Sequence, residues 1–343
     1  MRWNRTLLSQ AASVALLSAS AFAQTTLVHR QKYAMGTVFE IATYDASPDR
    51  ASAILDEALK EAVRLDRIMS NFQPDSELSF LNQSAYSQRQ AVSKDLYRVI
   101  EISVDYSQRS NGVFDITVAQ LVNYWKAVMR GERAASGSDE TALRACVGYK
   151  NVILMPPNLV SFQCPSTQID LGAIGKGYAV DRIVDSLRRH GIANALVNAG
   201  GSTLYGLGHP PGETAWRVKL KDVSGENEIL LEDDSVSTSQ QSPKSLVGDR
   251  RSGHIIDPET GEPVNVAGSV SALADTATDS DALSTTALLL GPIKAKAVID
   301  DLPNAAAVWL PATGEMKIVS HTQRNWITHE TKSLAPLQRK AQK

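Results

Sequence analysis

Four short stretches of the 343-residue chain combine glycine, carboxylate, hydroxyl and basic side chains in ways that a buried core does not require. The first, IDLGAIGKGYAVD at residues 169–181, sets Lys176 among three glycines, shortly after Asp170. Lys176 falls at the expected first turn of a helix, where free backbone N–H groups and the helix dipole attract anions. The spacing matches neither a Walker loop nor a Rossmann fingerprint. Two interpretations stay open: a pyrophosphate seat, or a strand-to-helix turn with a solvated lysine.

The second stretch, GHIIDPETGEPV at residues 253–264, sets a histidine beside a turn. Its DPETG run predicts the turn, because aspartate accepts local backbone hydrogen bonds and glycine adopts a positive φ. Histidine titrates near neutral pH, so His254 beside a ligand could take a proton from an attacking hydroxyl. The alternative is a histidine with a structural role.

The third stretch, TDSDALSTTALLLG at residues 278–291, places two oxygen-bearing side chains four residues apart. Asp281 and Thr285 would share one face of an exposed helix start. Carboxylate and hydroxyl oxygens there suit Mg²⁺, which is usually bound together with substrate phosphates. The alternative is an ordinary helix start with Asp279 or Ser280 as its cap.

Two further features leave alternatives open. In the fourth stretch, GVFDITVAQLVNYW at residues 112–125, Asp115 could serve a site or cap a helix. Cys146 and Cys164 are the only cysteines of the chain. They could pair in an oxidising compartment, although a chain of this length does not need a disulfide. Two cysteines are too few to build a cysteine-based metal site.

The elements that position these side chains can be predicted from hydrophobic periodicity. Apolar residues three and four apart predict helices over 49–70, 93–112, 177–191, 280–291 and 293–303, and residues 113–125 are expected to form a turn into a further helix. Alternating or short apolar runs predict strands over 33–44, 151–155, 159–163, 193–201, 215–220, 228–232, 234–239, 253–257, 267–274, 305–310 and 316–320. Residues 71–84 are expected to form a loop, and residues 130–145 a surface excursion. Because strands occur in runs, the sequence favours an α+β fold: a single domain with a mainly antiparallel sheet flanked by helices.

Composition and the first residues bear on partners and location. A hydrophobic share of 43% is normal for a globular domain, and a net charge of -2 argues against a nucleic-acid partner. Arg2 and Arg5 precede an apolar run that ends at an A-x-A cleavage site, which predicts a signal peptide over residues 1–23. An uncleaved anchor is the alternative. We expect a mature domain over residues 24–343, with no transmembrane segment, exported to the periplasm.

Seven stretches in order resemble the ApbE family, the FAD:protein FMN transferases. They are MGT at 35–37, MSNFQPDSELSFLN at 69–82, GVFDITVAQLVNYW at 112–125, IDLGAIGKGYAVD at 169–181, NAGG at 198–201, HIIDPETGEPV at 254–264 and SVSALADTATDSDALSTTALLLG at 269–291. Together they span nearly the whole expected mature chain. The resemblance also predicts an ApbE-like fold.

The resemblance implies an enzyme that cleaves FAD at its pyrophosphate and releases AMP. FMN is left joined by a phosphoester to a Thr or Ser hydroxyl of an acceptor, here an exported redox protein, with Mg²⁺ as cofactor. Its motifs assign FAD contacts to Met35, Phe72, Val113, Phe114, Asp115, Asp170, Lys176 and Ile255, metal ligation to Asp281, Thr285 and the Ala173 carbonyl, and catalytic roles to His254 and Lys176. Two alternatives remain: an FAD-binding protein without transfer, and a pyrophosphatase that releases free FMN and AMP.

The chain departs from the family pattern at three places. Thr238-Ser239-Gln240 stands where the family usually reads T-S-G, and Phe72 replaces a common tyrosine. The segment after Trp125 lacks the usual Gly-Phe-Gly. These changes bear on the shape of the flavin or acceptor pocket.

Overall fold

The computed structural model describes residues 25–219, 228–241, 246–247, 250–251, 253–264, 266, 268–311 and 315–328. The predicted signal peptide, residues 1–23, lies outside these residues. Seven helices occur among them: α1 (Pro48–Met69), α2 (Glu77–Ser84), α3 (Lys94–Arg109), α4 (Ala119–Met129), α5 (Gly137–Arg144), α6 (Gly175–Arg189) and α7 (Ala277–Asp300).

Fifteen strands accompany these helices in the described part of the chain. They are β1 (Thr26–Ala34), β2 (Thr37–Asp45), β3 (Gln90–Ala91), β4 (Val152–Met155), β5 (Leu159–Phe162), β6 (Ala195–Ala199), β7 (Thr203–Leu207), β8 (Trp216–Lys219), β9 (Glu228–Leu231), β10 (Asp234–Gln241), β11 (Leu246–Val247), β12 (Arg250–Arg251), β13 (Gly268–Ala274), β14 (Ala306–Pro311) and β15 (Lys317–Ser320). Eight of them form one sheet in the order β1-β2-β6-β7-β10-β13-β14-β15. Every neighbouring pair in this sheet is antiparallel. The predicted α+β fold with a mainly antiparallel sheet is confirmed.

The first hairpin differs from the single predicted strand over 33–44. Met35 and Gly36 form a two-residue turn, with φ of 51° and 75°, between Ala34 and Thr37, which pair directly. Positive φ at both central residues belongs to the tight turn that matches the twist of a hairpin. The MGT motif therefore ends β1 and begins β2, and β1 was not predicted.

Three other predictions were wrong in detail. Residues 71–84 were expected as a loop, but Ser76 caps α2 by accepting a hydrogen bond from the Ser79 N–H at 3.0 Å. Residues 253–257 make one isolated bridge, Ile256 to Pro263, instead of a strand. Strand β7 was not predicted at all. The predicted turn after residue 256 is confirmed, with Gly261 at a φ of 78°.

Helices α1, α6 and α7 pack on one face of the sheet and enclose the largest core cluster. The two helices predicted over 280–291 and 293–303 are the arms of α7, which kinks at Gly291 and Pro292. Thr276 caps this helix, so the predicted caps Asp279 and Ser280 were wrong. By length and composition α7 would also suit a membrane span, but half of its apolar window is buried inside the protein, as in a core helix.

The opposite face of the sheet carries a second core cluster. The hairpin β8–β9 covers this face, and Trp216, Ile229 and Trp326 are buried in the cluster. A third cluster surrounds α4, where the Trp125 indole N–H donates to the Gly261 carbonyl at 2.8 Å. Elsewhere, Cys146 and Cys164 form a disulfide, which answers the question left open by the sequence.

Candidate functional site

A large cavity of about 470 Å³ opens between α4, the start of α6, the end of β10 and α7. Its lining combines apolar side chains with a few convergent polar groups, which is typical of a small-molecule site. Ten of the twelve residues predicted for the site line it: Val113, Phe114, Asp115, Asp170, Ala173, Lys176, His254, Ile255, Asp281 and Thr285.

The other two predicted residues, Met35 and Phe72, line a second cavity of about 390 Å³. Both cavities share Asp170, Gly172 and Lys176 in their walls. The glycine-rich stretch therefore stands at the junction of two adjoining cavities. A ligand with two bulky ends and a charged middle would fit this arrangement.

The junction itself is shaped by hydrogen bonds within the glycine-rich stretch. The Gly172 N–H donates to the Asp170 carboxylate at 2.7 Å, and the Lys176 ammonium donates to the Gly172 carbonyl at 3.2 Å. Lys176 lies in the first turn of α6, as predicted, and the neighbouring Gly175 N–H already donates to the Leu171 carbonyl. An anion at the junction would therefore meet mainly the Lys176 ammonium.

The close approach of α6 and α7 determines which polar atoms face the cavity. The Gly177 N–H donates to the Asp281 carboxylate at 2.9 Å. The Ala173 carbonyl lies before the helix N-cap, Ile174, and accepts no hydrogen bond from any residue that the structure describes. A side chain at Gly177 would come within 2.1 Å of the Ala277 carbonyl oxygen, so only glycine permits this approach.

Asp281 is buried, with 5% of its surface exposed, so the prediction of an exposed helix start was wrong. In the described part of the chain, no cationic side chain pairs with its carboxylate. A buried carboxylate with one backbone donor and no cationic partner is a costly arrangement, which a bound cation would stabilise.

A row of serines on β10 faces α7, and one of them contacts Thr285. Ser235, Ser237 and Ser239 alternate along the strand and face α7. The first two share hydrogen bonds with the Ser280 hydroxyl, and the Ser239 hydroxyl lies 2.9 Å from the Thr285 hydroxyl. This polar contact fixes the position of the helix along the strand.

The donor set near Asp281 suits a hard cation with substrate oxygens completing its coordination. No three His, Cys, Asp or Glu side chains converge into a metal cluster anywhere in the described residues. The candidate metal ligands are one carboxylate, one hydroxyl and one free carbonyl. Mg²⁺ is commonly bound by one or two carboxylates with substrate phosphates and waters, so these residues fit it.

His254 stands at the mouth of the large cavity, exposed to solvent but surrounded by protein atoms. Burial lowers the pKa of its imidazole below the usual 6.5, and the positive charges of Lys126 and Lys176 lower it further, against a smaller opposite effect of Asp170. The imidazole is therefore mainly neutral at pH 7. A neutral imidazole can accept a proton.

The backbone that carries His254 is held by Gln241, the last residue of β10. The buried Gln241 carboxamide oxygen accepts from the N–H groups of His254 and Ile255, at 3.1 and 2.8 Å. Its NH₂ group donates to the carbonyls of Ile255 and Val264, at 3.0 and 2.9 Å. One side chain thus joins the sheet to the loop that presents His254.

The Asp115 carboxylate is already hydrogen-bonded within the protein. Its carboxylate accepts from the Thr117 hydroxyl and N–H, at 2.6 and 2.8 Å, and from the Tyr149 N–H at 2.7 Å. Burial raises the pKa of this carboxyl despite those bonds. The side chain shapes the cavity wall by joining two loops, and its carboxylate has little remaining capacity for a ligand.

Two residues of the site were not predicted. No local sequence pattern identifies Gln241 as a residue of the site. Lys126 lines the large cavity from α4, where it continues a stripe with Val118 and Val122 at four-residue spacing. The sequence feature that could have identified Lys126 is a charged residue at the end of an apolar helical stripe.

Known proteins match the chain across this architecture. The model of the ApbE family matches residues 35–309. The chain is 31% identical over 288 residues to the FAD:protein FMN transferase of Vibrio cholerae serotype O1, which covers 80% of this chain and 84% of that protein. It is 29% identical over 306 residues to the FAD:protein FMN transferase of Treponema pallidum (strain Nichols), with 82% and 83% covered.

A solved structure shares the fold as well. The flavin transferase ApbE from Vibrio cholerae superposes with a TM-score of 0.76 at 27% identity, covering 86% of this chain and 97% of that one. The family match includes every lining residue of the large cavity and all but Tyr33 of the second. The chain therefore belongs to the ApbE family.

Proposed function

We propose that the protein is an FAD:protein FMN transferase that cleaves FAD, releases AMP and leaves FMN on a Thr or Ser hydroxyl of an acceptor protein. The observation that carries the proposal is the pair of cavities joined at Lys176. FAD has two ring systems linked by a pyrophosphate, so each cavity could take one end while the ammonium meets the phosphates. The names of the relatives support the same activity.

Magnesium is the cation that we propose for the site, held by the Asp281 carboxylate, the Thr285 hydroxyl and the Ala173 carbonyl. When bound, it would neutralise charge on the phosphoryl oxygens, which is the main requirement of phosphoryl transfer. Ser239 orients the Thr285 hydroxyl, and the Gly177 N–H holds one oxygen of Asp281. Lys176 adds a second positive charge at the phosphates.

His254 would act as the general base. The acceptor hydroxyl oxygen forms a bond to the FMN-side phosphorus, and its proton passes to the neutral imidazole. The bond between that phosphorus and the bridging oxygen breaks, and AMP leaves with the electron pair. The lowered pKa of His254 keeps the imidazole ready to accept the proton at pH 7.

The proposals for the acceptor and the location are supported by the first residues of the sequence alone. A predicted signal peptide supports export to the periplasm, so we propose that the acceptor is an exported redox protein. The shape of the two cavities supports no choice among such proteins.

The direct test is covalent labelling. The chain from residue 24 onward is incubated with FAD, Mg²⁺ and candidate exported acceptors, and flavin fluorescence is followed through denaturing electrophoresis while AMP is measured. Labelled acceptor with stoichiometric AMP is the expected result. Tight FAD binding without AMP would indicate a binding protein, and AMP with free FMN would indicate a pyrophosphatase. The Vibrio cholerae relative with its own acceptor serves as the positive control.

A further inference from the structure

Lys126 is a cation of the large cavity that neither the proposed metal site nor the proposed base uses. It lies in the last turn of α4 and is half-buried. Val118 and Val122 precede it by four-residue steps, and all three line the same cavity. Its stem therefore lies along an apolar wall with the ammonium at the wall's end.

The ammonium of Lys126 has no carboxylate partner within the described residues. It lies over the ring of Phe72, 4.9 Å from the centroid. Phe72 is 78% exposed and lines the second cavity. The contact therefore spans the rim between the two cavities, and its cation–π attraction positions the ammonium before any ligand arrives.

Lys126 and Lys176 act on the same part of the cavity. Both line the same cavity as His254, and the positive charge of each lowers the pKa of its imidazole. Neither lysine forms an ion pair with a described residue, although the Lys176 ammonium donates to the Gly172 carbonyl. Two ammonium groups without a carboxylate partner in the described residues favour an anionic ligand at this end of the cavity.

We propose that Lys126 binds a phosphate oxygen of FAD, as a second lysine at the pyrophosphate, and that Phe72 holds it at the rim between the cavities. This inference rests on the proposed function, because it takes FAD as the ligand. Lys126 lies directly after Trp125, in the segment that lacks the usual Gly-Phe-Gly.

The test compares binding of FAD with binding of riboflavin, which carries the same ring system without phosphate. Dissociation constants are measured by flavin fluorescence, without acceptor, for the wild type, Lys126→Met and Lys126→Arg. Lys150→Met is the matched control, because Lys150 also lies over an aromatic ring but lines neither cavity. Thermal unfolding checks that each variant folds.

We expect Lys126→Met to weaken FAD binding about tenfold at low salt, as for one lost charge-assisted hydrogen bond. Riboflavin binding should stay unchanged, Lys126→Arg should recover FAD binding to within about threefold, and Lys150→Met should resemble the wild type. The dependence of FAD affinity on salt should also become weaker in Lys126→Met, because one screened charge is lost. A purely structural role would not change that dependence.

Three results would overturn the inference. They are equal loss of FAD and riboflavin binding, an unchanged salt dependence, or unchanged FAD binding in Lys126→Met. Failure of the proposed function is a separate result, since the wild type would then fail to bind FAD or to label any acceptor.

Discussion

At the scale of single residues, Asp281 contributes to the site in two ways. Its carboxylate accepts from the Gly177 N–H, which joins α7 to the first turn of α6. Its negative charge is also available to a cation, because no cationic side chain pairs with it among the described residues. Its charge and its acceptor capacity can be separated by substitution.

Asp281→Asn should reduce transfer at least about 100-fold, more than the loss typical of residues that only support a metal ligand. Asparagine can still accept from Gly177, so we expect little change in thermal unfolding. The measurement is the single-turnover labelling rate over a series of Mg²⁺ concentrations. Asp279→Asn on the same helix is the control, because Asp279 faces Tyr106. A wild-type rate at limiting Mg²⁺ would contradict the ligand assignment.

His254 should determine the acid limb of the pH profile. A pKa lowered below 6.5 keeps the base neutral over a wider range, so kcat/KM should fall only as pH drops through that lowered pKa. His254→Ala should lose about 100-fold in rate and lose this limb while still binding FAD. Lys126→Met removes one positive neighbour, so the limb should move to higher pH. Equal loss of FAD binding and transfer in His254→Ala would indicate a structural role.

At the scale of elements, the site depends on how closely α6 approaches α7. A methyl group at Gly177 would lie 2.1 Å from the Ala277 carbonyl oxygen and 2.8 Å from the Asp281 Cβ atom. Neither the backbone carbonyl nor a helix Cβ can move without shifting a whole helix. The metal ligands on the two helices would then separate.

Gly177→Ala should lower the free energy of unfolding by about 2 kcal/mol or more, as expected for overpacking, and should abolish transfer. Gly137→Ala is the control, because a Cβ atom at the start of α5 would meet nothing within 4 Å. Urea unfolding of both variants makes the comparison. If the two unfold alike, the close approach does not constrain the helices.

The loop that carries His254 depends on the end of β10 through Gln241. Gln241→Leu removes four hydrogen bonds to backbone groups. We expect a loss of about 2–4 kcal/mol in stability and about 100-fold in transfer, because several buried backbone groups would be left unpaired. Gln241→Glu can still accept from the two N–H groups, so its losses should be intermediate.

The control for this loop is Gln31→Leu, on the exposed face of β1. The acid limb of the pH profile separates positioning from stability, because only a displaced imidazole would change it. If Gln241→Leu kept the wild-type limb and rate despite lower stability, the residue would serve the fold alone.

At the scale of the whole molecule, local patterns predicted the fold class and most elements but not their arrangement. The four-residue spacing of Asp281 and Thr285 was sufficient to place both on one helical face. The resemblance brought His254 and Lys176 together, which no local pattern could do. Strand β1 was missed because most of its side chains are exposed and its turn resembled a strand start. Gln241 was missed because its partners are backbone atoms of a distant loop.

On the far side of the sheet, the C-terminal segment contacts the start of β10 and strand β9. The Arg324 guanidinium lies 3.3 Å from the Asp234 carboxylate, and the Leu230 N–H donates to the Trp326 carbonyl at 2.9 Å. Asp234 is buried, and burial raises its pKa from 3.8 to about 7 despite Arg324 and a backbone donor. The nearby charge of Asp275 adds to the increase.

This shift makes the stability of the whole molecule depend on pH. The native state holds the Asp234 proton more tightly than the unfolded chain, so the stability from this group is fully present below about pH 3.8 and is lost as pH rises through about 7. Asp234→Asn removes that dependence. The free energy of unfolding of the wild type minus that of the variant should therefore be about 2–3 kcal/mol larger at pH 5 than at pH 7.5.

Urea unfolding of the wild type and Asp234→Asn across that pH range measures the difference. Asp233→Asn is the matched control, since it changes an exposed neighbouring carboxylate paired with Arg188 and reports the loss of a surface charge alone. If the difference in free energy of unfolding between wild type and Asp234→Asn did not change with pH, Arg324 would keep Asp234 ionised across the whole range. The ion pair, instead of the protonated carboxyl, would then join the C-terminal segment to the sheet.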